Sequence, residues 1–399
     1  MSLNNTPASD RIHIGIFGKR NAGKSSIINA ITGQNLAIVS ETKGTTTDPV
    51  LKSMELLPLG PVVIIDTPGL DDVGALGELR VQKAYQILNK TDIAVLVVDG
   101  SVGMTLEDEK ILDRIREKEI PYLTVYNKMD LETFKMEIKD PAREIAVSTA
   151  HNTHIHELKE LLASLAPKSD SSRRIIADLL KPLDFIVLVV PVDESAPKGR
   201  LILPQQQTIR DILESKAISI VVKDTELKET LEKLGRKPDL VVTDSQVFQE
   251  VSKIVPDDIP LTSFSILFAR YKGNLGTVVK GAFALDHLED KDKVLICEGC
   301  THHRQCNDIG SVKLPGWIQK HTGKDLEFTF TSGTEFPLDL SPYKVIVHCG
   351  GCMLNDREMK YRLKCAEDAK IPMTNYGIAI AHMKGILRRS VAIFPNIEV

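Results

Sequence analysis

The chain has 399 residues, of which 42% are hydrophobic and 26% charged, and its formal net charge is -4. This length exceeds one ordinary hydrophobic core and predicts two or three domains. The near-neutral charge argues against a general binder of nucleic acid or anionic membranes. No apolar run reaches the roughly 18 residues that span a bilayer, and the polar start Met1–Asp10 lacks the apolar core of a signal peptide. A cytoplasmic protein without membrane or nucleic-acid partners is therefore expected.

Short apolar runs alternate with amphipathic stretches between Arg11 and Ala166. This alternation predicts a mostly parallel sheet with helices on both faces. The polar stretch Pro167–Arg174 that follows predicts a linker. The predicted strands are Ile12–Phe17, Val62–Asp66, Ile93–Asp99, Tyr122–Asn127 and Ile145–Ser148.

The α/β pattern restarts twice after the linker, so three domains are predicted, at 1–168, 175–268 and 269–399. The second and third are smaller α/β domains with mostly parallel sheets. The predicted strands here are Phe185–Val190, Ile218–Val222, Leu240–Thr243, Val294–Cys297, Leu326–Thr331 and Val345–His348. The predicted helices are Ile209–Lys216, Leu227–Leu234, Asp356–Ala369 and Ile378–Arg388.

A glycine-rich sequence, Gly18-Lys-Arg-Asn-Ala-Gly23-Lys24-Ser25, lies between the first predicted strand and a helix. In that context the glycines allow backbone N–H groups to face phosphates, and the helix N-terminus adds positive charge. Lys24 is expected to reach the β- and γ-phosphates, and Ser25 is expected to ligate Mg²⁺. With the adjacent Ser26, this loop predicts a P-loop nucleotide site.

Two further segments are candidates for Mg²⁺ and the γ-phosphate. Asp66-Thr-Pro-Gly69 ends an apolar strand, so that Asp66 can hold Mg²⁺ through water and the Gly69 amide can sense the γ-phosphate. The threonine-rich segment Gly44–Asp48 lies between the phosphate loop and this motif, and is suited to close over the ion. We expect Thr46 to be the Mg²⁺ ligand, with Thr45 as the second candidate.

Two motifs at strand ends predict recognition of guanine. Asn127-Lys128-Met-Asp130 ends one strand, and the carboxylate of Asp130 can accept hydrogen bonds from guanine N1 and N2. Adenine does not offer both donors, and a buried polar group left unpaired in this way gives strong discrimination. Ser148-Thr149 follows the next strand and is expected to present a backbone amide to guanine O6. The nucleotide is therefore predicted to be GTP.

All six cysteines lie after residue 296, which in a cytosolic chain is typical of metal ligation. Cys300-x-His302 and His348-Cys349-Gly-Gly-Cys352 each follow a predicted strand. Because the carboxyl ends of parallel strands meet at one edge of a sheet, the two segments can converge. Gly350 and Gly351 are expected to let the backbone approach a sulfur atom and donate N–H bonds to it.

The residues themselves leave the metal open. Three thiolates with a variable fourth ligand suit an iron–sulfur cluster, whereas three cysteines and one histidine suit zinc. Cys297-x-x-Cys300 together with Cys349-x-x-Cys352 would also make a four-cysteine zinc site. Cys306 and Cys365 have no ligand partner at short spacing, and Cys365 lies in a helical pattern that predicts a core position.

The nucleotide motifs resemble those of the tRNA-modification and ribosome-assembly GTPases. Potassium-activated members of that group have an asparagine at the position of Asn21, so the resemblance implies K⁺ as a cofactor and Asn21, Lys24 and Thr46 as catalytic residues. Leu70 stands where other GTPases place a glutamine that positions water, which implies slow unaided hydrolysis. Thr149 departs from the alanine that is usual in the group.

The whole chain is similar to the HydF family, the maturation GTPases of iron-only (FeFe) hydrogenase. The resemblance implies a 4Fe-4S cluster on Cys300, Cys349 and Cys352 with an exchangeable fourth site, for which His302 and His348 are possible ligands. The 45 residues between these histidines are at the short end of the expected range.

The resemblance also implies a role and partners. The role would be that of a scaffold and carrier that receives a di-iron precursor made with radical-SAM maturases and delivers it to apo-hydrogenase, as a homodimer formed through residues 175–268. The alternative is a tRNA-modification or ribosome-assembly type of GTPase with a structural zinc site.

Overall fold

The computed structural model describes residues 8–33, 50–67, 86–166, 173–191, 201–273, 275–299, 309–333, 335–337 and 339–397. The chain divides into two compact units, Met1–Ser169 and Asp170–Val399. The predicted boundary between 268 and 269 therefore lies inside the second unit. Among the described residues, no helix is both long and apolar enough to cross a membrane.

The first unit is built on a six-stranded sheet in the order β2-β3-β1-β4-β5-β6. All neighbours are parallel except β2, which is antiparallel to β3. The parallel strands are buried because helices cover both faces. The strands are β1 (Ile12–Phe17), β2 (Val50–Leu56), β3 (Gly60–Asp66), β4 (Ile93–Asp99), β5 (Tyr122–Asn127) and β6 (Glu144–Ala146).

The α-helices of this unit that are described from end to end are Lys24–Thr32, Leu106–Glu117 and Ile155–Ser164. One apolar cluster joins Ile16 and Val97 to the first and third helices, and a second joins Phe17 and Leu96 to the middle helix. The parallel sheet covered on two faces is thus confirmed. The prediction missed β2, since this edge strand is largely exposed and lacks an apolar run.

The second unit contains two four-stranded sheets, in the orders β10-β9-β7-β8 and β12-β11-β13-β14. Every strand pair in both sheets is parallel. The first sheet comprises β7 (Phe185–Val189), β8 (Ile218–Val222), β9 (Leu240–Thr243) and β10 (Leu261–Ser263). The second comprises β11 (Lys293–Glu298), β12 (Glu327–Ser332), β13 (Val345–His348) and β14 (Met373–Asn375).

Most helices of the second unit pack into one apolar cluster that includes Val187 of the first sheet and Cys297 and Ile346 of the second. This continuous core makes the two sheets one compact body. The helix Leu314–Thr322 packs into a separate cluster on the second sheet, with Val294 and Ile296. The α-helices are Leu203–Glu214, Leu227–Lys233, Phe248–Ile254, Phe264–Lys272, Leu275–Ala282, Leu314–Thr322, Asp356–Asp368, Tyr376–Met383 and Leu387–Val391.

Several predicted element bounds were wrong. The helix predicted over Ile378–Arg388 is two helices, because Gly385 between them has φ 70° and ends the first. The helix predicted over Ile209–Lys216 begins earlier, at Leu203, where Pro204 occupies its first turn. Strands β10 and β14, at three residues each, are too short to give a recognisable pattern.

Candidate nucleotide and metal sites

The glycine-rich loop leads from β1 into the helix Lys24–Thr32, as the sequence predicts. Gly18 has φ 137°, and a Cβ there would lie 2.2 Å from the carbonyl oxygen of Val97. Gly23 has φ 96°, and a Cβ there would lie 2.1 Å from the amide nitrogen of Asn127. Both positions therefore require glycine, because the chain passes too close to its neighbours for any side chain. Asn21 also has positive φ, at 61°.

The Lys24 ammonium lies folded over the loop. Its Nζ donates hydrogen bonds to the carbonyl oxygens of Gly18 at 2.9 Å and Lys19 at 2.8 Å. These weak neutral acceptors can be exchanged for phosphate oxygens, which form stronger charge-assisted bonds with an ammonium group. Ser25 and Ser26 follow Lys24 in the first turn of the helix, where the dipole favours anions.

The carboxylate of Asp66 ends β3 beside the phosphate loop, opposite Ile16 of β1. Burial raises the pKa of Asp66, and the positive charges of Lys24 and Lys52 oppose this rise. A carboxylate in such a place favours a nearby cation, which agrees with its predicted contact to Mg²⁺. Sequence reasoning gave no role to Thr67, whose hydroxyl donates to the Ile16 carbonyl at 2.7 Å and ties the strand end to β1.

The side chain of Asn127 connects the phosphate loop to Ser148-Thr149, the segment predicted to bind guanine and called the guanine loop below. Its Nδ2 donates to the carbonyl oxygen of Ala22 at 3.3 Å. Its Oδ1 accepts from both the backbone N–H and the hydroxyl of Thr149, each at 3.3 Å. The hydroxyl of Thr149, the residue that departs from the usual alanine, thus adds a second bond to Asn127.

The carboxylate of Asp130 is held by its neighbours in an ionised state. Ser148 Oγ donates to Asp130 Oδ1 at 2.5 Å, and this bond lowers the pKa of Asp130. Lys128 extends to Asp99 at the end of β4, with 2.5 Å between Nζ and Oδ2. The sequence analysis missed Asp99, although its place at the end of an apolar strand is a signal for a site residue.

Four residues of the predicted nucleotide site, Thr45, Thr46, Gly69 and Leu70, lie outside the described residues. The remaining members lie at the ends of strands at the carboxyl edge of the sheet, in the loops that follow β1, β5 and β6, or in the first turn of the helix Lys24–Thr32. The structure therefore brings Lys24, Asp66, Asn127 and the guanine loop to one edge of the first unit. The roles assigned to them remain predictions.

The sulfur atom of Cys349 is surrounded by backbone N–H donors. Gly299 donates to Cys349 Sγ at 3.0 Å, and Gly351 donates to it at 3.4 Å. A Cβ on Gly299 would lie 2.8 Å from Leu354 Cγ, so this close approach needs glycine. Gly351 has the predicted role, but sequence reasoning missed Gly299, the residue directly before Cys300. Burial raises the pKa of the Cys349 thiol, and the N–H bonds from Gly299 and Gly351 oppose this rise by stabilising the thiolate that a metal requires.

The second cysteine of the motif, Cys352, is partly buried and packs against the core of the unit. Cys300, His302, His303 and Cys306 lie outside the described residues. Gly299 nevertheless connects the two motifs, because its amide contacts Cys349 and its carbonyl carbon is bonded to Cys300.

His348 is buried, and both of its ring nitrogens contact the protein. Nε2 lies 2.9 Å from Arg362 NH1 and Nδ1 lies 2.7 Å from the carbonyl oxygen of Cys349. Burial and the positive charge of Arg362 lower the pKa of His348 to about 3. The neutral ring thus accepts from Arg362 and donates to Cys349, which leaves no lone pair for a metal in this arrangement.

The guanidinium of Arg362 is itself fully buried and paired with Glu358, at 2.9 Å from Nε and 2.8 Å from NH2 to the same carboxylate oxygen. It also donates to the carbonyl of Gly333 at 2.9 Å. The sequence analysis missed this buried pair, whose i, i+4 spacing is common on exposed helices. The guanidinium of Arg362 holds the ring of His348 next to Cys349.

Cys297 lies in β11, and its side chain is fully buried in the apolar core. Burial raises the pKa of its thiol to about 11. A buried thiol in core packing is poorly placed to ligate a metal that is held by the loops beyond the strand end. Cys365 packs against the same core from the helix Asp356–Asp368, as its pattern predicts.

Comparison with known families gives three matches. Residues 276–393 match the hydrogen maturase F tetramerization domain, and residues 175–273 match the hydrogen maturase F dimerization domain. Together these two models span more than half of the chain. The chain belongs to the hydrogen maturase F family. Residues 13–128 match the 50S ribosome-binding GTPase family, so the first unit carries a GTPase domain.

Curated relatives are similar over part of their length only. The tRNA modification GTPase MnmE of Nitrosomonas eutropha is 40% identical over 121 residues, which are 30% of this chain and 26% of that protein. GTPase Der of Kosmotoga olearia is 30% identical over 211 residues, 48% of this chain and 47% of that protein. The chain thus spans between about a quarter and a half of these relatives.

Among solved structures, Aquifex aeolicus Era bound to GDP and AlF4⁻ is 20% identical, with a TM-score of 0.35. The match covers 53% of this chain and 92% of the Era chain. A probable GTP-binding protein engB is 22% identical, with a TM-score of 0.31, and covers 38% of this chain and 97% of its own.

Proposed function

We propose that this hydrogen maturase F member is a GTP-hydrolysing scaffold and carrier, which holds a 4Fe-4S cluster and delivers a di-iron precursor to apo-(FeFe)-hydrogenase. The observation that carries the proposal is the sulfur of Cys349, which accepts N–H bonds from Gly299 and Gly351. One donor directly precedes Cys300 in the sequence and the other directly precedes Cys352, so the sulfur of Cys349 contacts the backbone next to each of the other two proposed ligands.

The described residues fit an iron–sulfur cluster. Cys349 has the backbone donors that tune cluster sulfurs, and Cys352 follows it at the spacing of a ligand pair. Cys297 is buried in the core, so the set has three cysteines instead of four. Such a cluster leaves one iron open to exchange. His348 is bonded through both nitrogens, which makes His302, a carboxylate or water the better candidate for the fourth ligand.

Iron and sulfide analysis of the anaerobically purified protein tests this proposal. We expect about four irons and four sulfides per chain, as a 4Fe-4S cluster contains. The EPR spectrum of the reduced protein should change on addition of imidazole or cyanide, because these ligands occupy the open iron. Stoichiometric zinc without iron would contradict the proposal and favour the alternative, a tRNA-modification or ribosome-assembly type of GTPase with a structural zinc site.

The proposed partners are the radical-SAM maturases that make the precursor and the apo-hydrogenase that receives it. The names of the two matching family models, dimerization and tetramerization domain, support a homo-oligomer. We assign the dimer interface to the middle α/β region, predicted as 175–268, and cluster binding to residues 269–399. The continuous core between the two sheets would keep these regions in a fixed relation.

Hydrolysis is proposed to need Mg²⁺ on Ser25 and Thr46 and K⁺ near Asn21. Leu70 offers no amide to position water, so a cation is needed to stabilise the charge that develops between the phosphates. Asn21 has a left-handed backbone, at φ 61°, a conformation that asparagine adopts more readily than most residues other than glycine.

The first prediction concerns this cation. GTP turnover should be at least about tenfold faster in K⁺ than in Na⁺ at equal ionic strength, because the resemblance implies K⁺ as the ion that stabilises the charge developing between the phosphates. Asn21→Ala should remove most of the difference by deleting the ligand. The measurement is phosphate release in the two salts. Arg20→Ala, which changes the preceding residue, is the matched control, and equal turnover of the wild type in both salts would contradict the role of K⁺.

The second prediction concerns the base. Asp130→Asn should weaken GTP binding at least about 100-fold, because an amide donor replaces the charged acceptor of two N–H groups. Binding of xanthosine nucleotides should improve, since xanthine offers an acceptor where guanine has an amino group. Calorimetric titration with both nucleotides measures the change. Asp113→Asn, on an exposed helix face, makes the same charge change as a control; unchanged GTP affinity of Asp130→Asn would refute the assignment.

A further inference from the structure

A second group of potential metal ligands lies away from the cysteines. Asp286, His321 and His382 each offer one ligand atom, and these three atoms lie within 4.8 Å of one another. The three residues come from segments that are far apart in the sequence: the 3₁₀ turn Phe283–His287, the helix Leu314–Thr322 and the helix Tyr376–Met383. We propose that this triad binds a divalent transition-metal ion such as Zn²⁺.

The carboxylate of Asp286 is the centre of the group. His321 Nε2 lies 2.7 Å from its Oδ1, and His382 Nε2 lies 2.9 Å from its Oδ2. Both imidazoles thus present the same type of nitrogen to one carboxylate from two sides. Two imidazoles and one carboxylate are the ligand set of open zinc sites and of non-haem iron sites. Mg²⁺ and Ca²⁺ prefer oxygen ligands and are disfavoured by the two nitrogens.

The geometry permits coordination after a small adjustment. Ligands at 2.0–2.1 Å from a tetrahedral ion lie roughly 3.3 Å apart. The two nitrogen–oxygen distances, 2.7 and 2.9 Å, are shorter than this value, while all three ligand atoms lie within 4.8 Å of one another. Side-chain movements of about 1 Å would therefore admit the ion. The ring of His382 is already oriented, since Phe283 packs edge-on against it with 4.8 Å between ring centroids.

The helix directions favour a positive charge at this place. His321 and His382 both lie in the last turn of their helices. The carbonyl groups at a helix C-terminus carry partial negative charge, and two such ends converge on a carboxylate here. The side chains of His321 and Asp286 are about a quarter and two-fifths exposed, so that an ion and its water can enter from solvent.

The proposed site is separate from the cysteine site. The strands of this sheet are all parallel, and Cys349 directly follows the end of β13 at the carboxyl edge. The helix Leu314–Thr322 ends before β12 begins, and the helix Tyr376–Met383 runs back from the end of β14. Their C-terminal turns therefore lie at the amino edge of the sheet, which is the edge opposite to Cys349.

A bound ion would cross-link three segments of the region that matches the tetramerization domain, residues 276–393. Because the folded state brings the ligands together and the unfolded chain does not, binding should raise the thermal stability of this unit. Three protein ligands leave a coordination position for water, so we expect an exchangeable ion.

Zinc titration of the full chain tests the proposal. The background is the Cys300→Ser, Cys349→Ser, Cys352→Ser triple variant, which removes the thiolates proposed for the cluster. We expect one Zn²⁺ per chain in competition with a chromophoric chelator, and a higher midpoint of thermal unfolding with Zn²⁺ than with EDTA. His321→Gln and His382→Gln should each weaken Zn²⁺ binding at least about 100-fold. This loss is larger than the one expected from changing a residue that only hydrogen-bonds to a ligand.

Two further variants make the result decisive. His287→Gln changes an exposed histidine of the same 3₁₀ turn and should leave zinc affinity unchanged. Asp286→Asn keeps the shape of the carboxylate and should lower affinity without lowering the unfolding midpoint measured in EDTA by more than a few degrees. Absence of zinc binding in the triple-cysteine background, or equal affinity in the His321, His382 and His287 variants, would overturn the assignment.

Discussion

Serine in place of Cys349 or Cys352 is expected to remove the iron–sulfur cluster, whereas Cys297→Ser is expected to retain it. Cys349 Sγ accepts two backbone N–H bonds at the carboxyl edge of the sheet, and a neutral hydroxyl there cannot replace a thiolate ligand. Cys297 is fully buried within β11, so its sulfur belongs to the core. Anaerobic iron and sulfide content should fall to near zero in the first two variants and in Cys300→Ser.

The controls separate ligation from folding. Cys297→Ala removes the sulfur without burying a hydroxyl group, so loss of the cluster in Cys297→Ser alone would be attributed to the buried hydroxyl. Cys365→Ser changes a partly buried thiol that is not a proposed ligand, and this variant should keep the cluster. If both Cys297 variants lose the cluster while their circular dichroism stays native, the three-cysteine assignment is wrong and a four-cysteine site takes its place.

Lys24→Ala should reduce GTP hydrolysis by about 1,000-fold or more while leaving the metal content intact. The ammonium now bonded to the carbonyls of Gly18 and Lys19 is the charge that we expect to meet the β- and γ-phosphates. Removing one preorganised electrostatic group of this kind costs about 100- to 1,000-fold, and loss of nucleotide affinity adds to it. The cysteines lie in the other compact unit, so their environment should not change.

Phosphate release and iron content of the same preparation measure both expectations. Lys19→Ala is the matched control, because the Lys19 ammonium approaches Glu107 at 3.6 Å and is not assigned a phosphate contact. That variant should keep most of the turnover. Loss of iron from Lys24→Ala would show that the two units are not structurally independent.

The sequence by itself determined the fold class and the nucleotide loop. Parallel strands buried on both faces are long apolar runs, and five such runs are visible before residue 150. The phosphate loop could be recognised because a P-loop needs glycines at fixed spacing, and the structure shows that a side chain at Gly18 or Gly23 would clash with Val97 or Asn127. Features of this kind can be recognised from the sequence because they depend on residues that are consecutive in the chain.

Only the tertiary structure decided the contacts between segments that are far apart in the chain. Gly299 donates to the sulfur of Cys349 across 50 residues of sequence. Arg362 donates to one ring nitrogen of His348 and the Cys349 carbonyl contacts the other, so this histidine, predicted as a possible ligand, has both nitrogens bonded. Asp286 meets His321 and His382 only because two helices end at the same edge of one sheet. Such pairings depend on strand order and helix direction, which no local pattern of residues encodes.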